Sequence, residues 1–239
     1  MPQYIFFDLD NTLTRSRSPI TPRMSSLLRK LAKKHEVLVV SGADAKQIAR
    51  QLGKGLQGKY WSMGQNGNVC ITKEGEILWE NKLNWLERFE VFNYVHRLFS
   101  KKLFPHKNPY DLLQDRGAQI SYSFIGHSEE VSKKERFDPE GKKRAAILKK
   151  FPFMSKTMEV KIAGTTCFDF FQKGNHKGRN VGVLYKKMKW KKNDCLYVGD
   201  ALFKNGNDES VIGIIPTQQV KDPSETEVLI ARILSQENS

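Results

Sequence analysis

Asp8 and Asp10 stand one residue apart at the end of an apolar run, Tyr4-Ile5-Phe6-Phe7, with Asn11, Thr12 and Thr14 close behind. A strand sends alternate side chains to opposite faces, so acids at i and i+2 share a face at its C-terminal end. Carboxylates held that close resist joint ionisation unless a cation lies between them. Hard oxygen ligands suit Mg²⁺, which also binds phosphate. The chemistry open to such a pair is attack of a carboxylate on phosphorus, with the metal masking the charge. Alone, the segment also fits a strand followed by an Asp-rich turn.

A second acidic segment decides in favour of chemistry. The short apolar run Cys195–Gly199 ends at Asp200, and the loop Ala201-Leu202-Phe203-Lys204-Asn205-Gly206 leads on to Asn207-Asp208. Ligands of open parallel sheets gather at the C-terminal ends of strands. Asp200 at one such end can therefore join Asp8 and Asp10 at another and complete a metal site. Between the two acidic segments lie Ser41, closing the apolar run Val37-Leu38-Val39-Val40, and Lys177, just ahead of an amphipathic stretch. A hydroxyl and an ammonium in those places would offset the charge of a phosphoryl group in transfer. Singly, Ser41-Gly42 is an ordinary strand-end turn and Lys177 a surface lysine. Their order along the chain with the acids carries the reading.

The elements that must position these residues alternate in type. Strands are expected at Tyr4–Asp8 and Glu36–Val40, with short ones over 60–63 and 69–72. Helices are expected over 22–34, with Pro22 in the first turn, and over 43–52, ending at Gly53. That alternation argues for a parallel sheet covered on both sides. Past about residue 83 the pattern changes. Trp85–Phe99 is a long amphipathic stretch with Leu86, Phe89, Phe92, Tyr94 and Val95 as its apolar face. A half-exposed strand over 119–125, a helix over 144–151 and strands over 158–162 and 167–171 follow. Near Gly174 the first pattern resumes, with a helix over 175–188, strands at Cys195–Gly199 and over 213–216, and a helix over 225–236. The expected fold is α/β, a doubly wound parallel-sheet core in two parts (1–83 and 174–239) with an inserted α+β cap (84–173) that selects the substrate.

The ordered set Asp8, Asp10, Ser41, Lys177, Asp200 and Asp208 resembles the haloacid dehalogenase (HAD) superfamily of phosphotransferases, over nearly the whole chain. The resemblance implies Asp8 as nucleophile, Asp10 as general acid/base, Ser41 as the second-motif hydroxyl and Lys177 as the third-motif lysine. Asp200 and Asp208 fall on the fourth-motif acids; Mg²⁺ would be held by Asp8, Asp200 and the backbone carbonyl of Asp10, with Asp208 either completing the metal shell or orienting Lys177. Asn11 stands where many members have Gly, and Asn accepts the same turn dihedrals.

Within the superfamily the chain is similar to the eukaryotic-type phosphomannomutases, which carry a type IIB cap. The segment from Gly199 to Asp208 is close to their fourth motif, departing mainly at Lys204 and Asn205. Gln65-Asn66-Gly67, Ser123-Phe124-Ile125-Gly126 and Cys167-Phe168-Asp169-Phe170-Phe171 echo three further segments. On that likeness Arg17 and Arg116 match phosphate-binding arginines, and Asp169 matches a residue that binds sugar hydroxyls. His127 and Lys134 occupy two further mutase arginine positions, Cys167 replaces a serine, and Ser41 replaces the usual mutase glycine. Neither His nor Lys reproduces the bidentate fork of Arg. A mutase must hold two phosphates alternately, so these changes tilt the expectation toward a Mg²⁺-dependent phosphatase. Its substrate would be a sugar phosphate or similar small metabolite, turned over through an aspartyl-phosphate. Phosphomannomutase, converting mannose 6-phosphate to mannose 1-phosphate, is the alternative.

Composition fits an enzyme of the cytoplasm. The 39% hydrophobic and 28% charged content is ordinary globular usage. Cys70, Cys167 and Cys195 lack metal-finger spacing and are odd in number, which disfavours a disulfide framework. No apolar run reaches the length of a membrane span, and no signal peptide is expected. The net charge of +14 arises from clusters such as Arg29-Lys30, Lys133-Lys134, Lys142-Lys143-Arg144 and Lys149-Lys150, read as solvated helix faces. No recognition helix, zinc finger or RNA-binding aromatic signature accompanies them, so nucleic acid is disfavoured as a partner. Part of the charge would raise the local concentration of an anionic substrate. The expected partners are a small phosphorylated metabolite, foremost a hexose phosphate, and a second copy of the chain through the cap.

Overall fold

Strand β1 (Tyr4–Asp8) is apolar on both faces in the computed structural model, which describes residues 1–204 and 206–236. Ile5 and Phe7 enter one buried cluster and Phe6 enters another. A strand of this kind needs a cover on each side, as in a parallel sheet between helical layers. β1 pairs in parallel with β2 (Glu36–Val40) and with β10 (Cys195–Gly199). β3 (Trp61–Met63) and β11 (Thr217–Gln219) extend the parallel part, while β4 (Val69–Ile71) and β5 (Ile77–Glu80) run antiparallel. The seven-stranded order is β11-β10-β1-β2-β3-β4-β5.

Helices α1 (Pro22–Leu31), α2 (Ala45–Leu52) and α8 (Pro223–Gln236) cover the face of Ile5 and Phe7, through Met24, Leu28, Ile48, Leu52, Ile230 and Ile233. Helix α7 (Lys177–Lys187) covers the face of Phe6 with Val181 and Leu184. A single helical turn, α3 (Gly64–Gly67), holds Gln65 and Asn66 at positive φ. These elements, from Met1–Glu80 and from Asn175 onward, form one compact unit. α1 starts at a Thr21 cap and ends at Leu31, short of residue 34, because Lys33 and Lys34 bond three residues back in a tightened last turn. The final strand also lies later than the expected 213–216. Gly213 (φ 84°) sits in a turn, and pairing with β10 begins only at Thr217.

The second unit spans Asn81–Gly174. Its four-stranded antiparallel sheet has the order β6-β7-β9-β8, from β6 (Leu113–Asp115), β7 (Ile120–Ser123), β8 (Met158–Ala163) and β9 (Cys167–Gln172). One face carries Ile120, Tyr122, Met158, Phe168 and Phe170 against α4 (Trp85–Phe99) and against Ile147 of α6 (Lys142–Lys150). α4 opens with a reciprocal Asn84–Glu87 capping box. Its buried stripe is Val91, Tyr94, Val95 and Leu98, so the expected apolar face was half wrong. Leu86, Phe89 and Phe92 lie on the opposite, exposed side, because this helix has two apolar stripes.

A short helix, α5 (Val131–Phe137), was not legible, since its residues show no apolar period. Arg144 also departs from expectation: it is fully buried, while Lys142, Lys143, Lys149 and Lys150 around it are exposed. Its guanidinium donates to Asp138 at 2.9 Å and to the carbonyls of Ala163, Gly164 and Cys167, tying α6 to the β8–β9 turn. Burial alone would raise the Asp138 carboxyl, but hydrogen bonds from Arg144 and from backbone N–H groups hold it below its ordinary value. A depressed folded-state value adds stability above the unfolded pKa and loses it as pH falls through the folded one. Asp138→Asn should therefore cost about 3 kcal/mol at pH 7. Urea titrations should show that difference begin to shrink below about pH 4 and vanish only below the depressed folded-state value.

Candidate active site

The alternation of β1 places Asp8 on the α7 side, two residues beyond Phe6. Lys177, the first residue of α7, meets it there. The buried ammonium donates to Asp8 Oδ1 at 2.5 Å and to Asp208 Oδ1 at 2.7 Å. Asp200 follows the end of β10, where the Thr12 hydroxyl donates to it at 3.4 Å. One carboxylate oxygen from each of Asp8, Asp200 and Asp208 lies within 4.8 Å of the others. The loop before Asp208 depends on Gly206, where a Cβ would come within 2.1 Å of the Ala201 carbonyl. Asn205, part of the fourth segment, lies outside the described residues.

Electrostatics mark this cluster as unfinished. Burial pushes the Asp8 carboxyl well above its usual range, Lys177 opposes, and Asp208 and Asp200 push it further up. Burial and Asp208 likewise raise Asp200. Burial alone would lower Lys177, but the two carboxylates override it and hold the ammonium above its ordinary value. Asp208 Oδ2 is buried with no hydrogen-bond partner among the described residues. One cation among three carboxylates leaves a deficit of positive charge, and an all-oxygen donor set with an open buried lone pair suits a small hard divalent metal.

Asp10 is held apart from that cluster. Its Oδ1 accepts from the Arg17 backbone N–H at 2.7 Å and from Gln51 Nε2 at 3.1 Å. Arg17 has φ 54°, a left-handed conformation that aims its N–H at the carboxylate while its side chain stays exposed. Asn11, at φ 62°, makes the turn immediately after Asp10. Gln51 also donates to Thr14 and accepts from Gln47. Ser41 follows Val40, the register partner of Asp8, and its buried Oγ accepts from the Ala43 N–H at 3.1 Å.

In the second unit, three of the four expected residues are linked. Ser121 and Asp169 face each other across β7 and β9, and the Ser121 hydroxyl donates to Asp169 at 2.6 Å. The buried His127 imidazole lies 3.2 Å from the Ser121 carbonyl, and Lys134 Nζ donates to the His127 carbonyl at 3.0 Å. Arg116 lies in the β6–β7 turn, where its guanidinium donates to Gln114, the register partner of Ser121.

Sequence reasoning missed Gln51, Ser121 and Tyr197. Gln51 had a signal, a polar residue at the buried face of an amphipathic helix. Ser121 had one only through strand register. Tyr197 had none, because tyrosine passes as an ordinary core residue in an apolar strand. Its hydroxyl donates to Asp208 Oδ1 at 2.7 Å.

The model of the family described as haloacid dehalogenase-like hydrolase matches residues 5–212. A phosphomannomutase of Spinacia oleracea is 29% identical over 221 residues, covering 86% of this chain and 84% of its own. Two solved structures share the fold. A haloacid dehalogenase-like hydrolase from Bacteroides thetaiotaomicron superposes with a TM-score of 0.64 at 15% identity, covering 98% of this chain and 100% of that one. An IMP-bound IMP-nucleotidase of Plasmodium falciparum gives 0.65 at 18% identity, covering 98% of this chain and 68% of that one.

Proposed function

This chain belongs to the haloacid dehalogenase-like hydrolase family, and from that premise we propose a Mg²⁺-dependent phosphatase of a sugar phosphate or similar small phosphorylated metabolite. The observation that carries it is the buried Lys177 held between Asp8 and Asp208, beside Asp200. Asp8 attacks phosphorus, and the bond from phosphorus to the leaving oxygen breaks, giving an aspartyl-phosphate. Asp10 delivers the proton to that oxygen and then takes one from the water that hydrolyses the acyl phosphate. With Oδ1 held by Arg17 and Gln51, Asp10 keeps its other oxygen for the proton. Lys177 compensates the charge of Asp8 and of a phosphoryl oxygen. Ser41 accepts from Ala43 and so directs its own hydroxyl hydrogen to a second phosphoryl oxygen. Asp8, Asp200, Asp208 and the Asp10 carbonyl would hold Mg²⁺, which would supply charge neutralisation at the phosphoryl group.

Arg17 is assigned to substrate phosphate, and Arg116, His127, Lys134 and Asp169 of the inserted cap to the choice of substrate. The runner-up is a phosphomannomutase, favoured by the spinach relative. Against it, His127 and Lys134 engage backbone carbonyls and offer no planar fork for a second phosphate. Incubation with mannose 1-phosphate and Mg²⁺, with and without a hexose bisphosphate, separates the readings. Free phosphate without isomerised sugar is expected, and activator-dependent mannose 6-phosphate overturns the phosphatase in favour of the mutase.

The cytoplasm is the assigned compartment, since Cys70, Cys167 and Cys195 are free and buried and suit reducing conditions. Among the described residues no helix is long and apolar enough to cross a membrane. The exposed stripe of α4, Trp85, Leu86, Phe89 and Phe92, is assigned to a second copy, because one apolar stripe can meet itself about a two-fold axis. Sedimentation velocity should then report a dimer, and a monomer at micromolar concentration removes that assignment.

A further inference from the structure

Tyr197 stands on β10 opposite Phe6, on the face covered by α7. Its phenol is fully buried and its hydroxyl reaches Asp208 Oδ1 at 2.7 Å, the same oxygen that accepts from Lys177. Two residues further along the same face, Gly199 has no side chain, and a Cβ there would come within 2.3 Å of Asp208 Oδ2. The carboxylate thus fills the space that any other residue at 199 would take. One of its oxygens has two donors, and the other, though buried, has none among the described residues.

Lys177 cannot create that asymmetry by itself. An ammonium is a compact point charge on a flexible stem and is satisfied by either oxygen of a carboxylate. The terminal torsion of an aspartate is broad, so the plane of its carboxylate turns at little cost. A tyrosine ring packed into a sheet is different, because its hydroxyl can be offered from one place only. It fixes the plane of the carboxylate, so that one oxygen meets Lys177 and the phenol together and the other faces away from both.

We propose that Tyr197 is a positioning residue of the phosphoryl-transfer site, whose hydroxyl commits one oxygen of Asp208 to Lys177 and leaves the other for the divalent cation. This rests on the metal-dependent reading of the site given above. Groups that orient a metal ligand in this way are worth about 10–100-fold in metal affinity or activity.

The test is Tyr197→Phe, which removes one oxygen atom and keeps the ring. Mn²⁺ binding is measured by calorimetry on the full chain in the absence of substrate. A rise in Kd of about tenfold is expected, together with a fall in kcat and little change in KM for the phosphate ester. The circular dichroism spectrum of the metal-free variant should match the native one. The double variant Tyr197→Phe/Asp208→Asn should bind Mn²⁺ no more weakly than Asp208→Asn alone, since the hydroxyl acts only through that carboxylate. Additive losses in the double variant overturn the proposal, as does native-like Mn²⁺ binding by Tyr197→Phe. If the native chain itself neither binds Mn²⁺ nor releases phosphate, the metal-dependent reading falls and this proposal with it. A native chain that does both, beside an indistinguishable Tyr197→Phe, sinks the positioning role alone.

Discussion

Asp8→Asn is expected to lower turnover of any phosphate ester by at least about 10⁴-fold, the scale seen when a catalytic nucleophile is removed. The fold should survive. The amide keeps the shape of the side chain it replaces, and Lys177 keeps Asp208 as a full partner. The substitution also removes a carboxylate whose ionisation is opposed by burial and by Asp208 and Asp200, so stability should be unchanged or higher. Phosphate release and thermal melting on the same preparation check both halves. Substantial residual turnover would remove the aspartyl-phosphate from the mechanism.

Lys177→Met should be equally inactive but far less stable. The ammonium is the shared donor of Asp8 and Asp208, both nearly inaccessible to water. Its loss leaves buried carboxylates facing one another, and breaking a buried pair from one side costs about 3–5 kcal/mol. The sign of the pH dependence follows. Without Lys177 the folded-state value of Asp8 loses its lowering partner and rises further, so protonation stabilises the variant, and its deficit against the native chain should shrink as pH falls toward about 4. Urea titrations at pH 8 and pH 5 measure this. A deficit that is equal at both pH values would mean that lost packing, and not uncompensated charge, governs the site. Because the two positions are in contact, Asp8→Asn should also rescue part of the loss in Lys177→Met.

How much of this was legible in the sequence depended on the range over which each signal acts. The apolar runs at Tyr4–Asp8 and Cys195–Gly199 are local and continuous, so both strands could be read from neighbours in the chain. Thr217–Gln219 could not, since all three residues of that edge strand are exposed and carry no apolar pattern. α4 misled because Leu86, Phe89 and Phe92 are as hydrophobic as Val91, Tyr94 and Leu98, and only packing tells the two stripes apart. The acids and Lys177 were legible through their order along the chain. The hydroxyl of Tyr197 and the amide of Gln51 were not, because each matters through one rotamer aimed at one oxygen.

The pairing of Phe6 with Tyr197 has a consequence for synthesis on the ribosome. β1 leaves the exit tunnel long before β10, one of its two neighbours in the sheet. At about 5–20 residues per second, Asp8 waits roughly ten to forty seconds for Lys177 and Asp208 to be translated. The strands of the Asn81–Gly174 unit are all complete before then. The nascent chain therefore carries Asp8 on an unfinished sheet edge until α7 and β10 have been made.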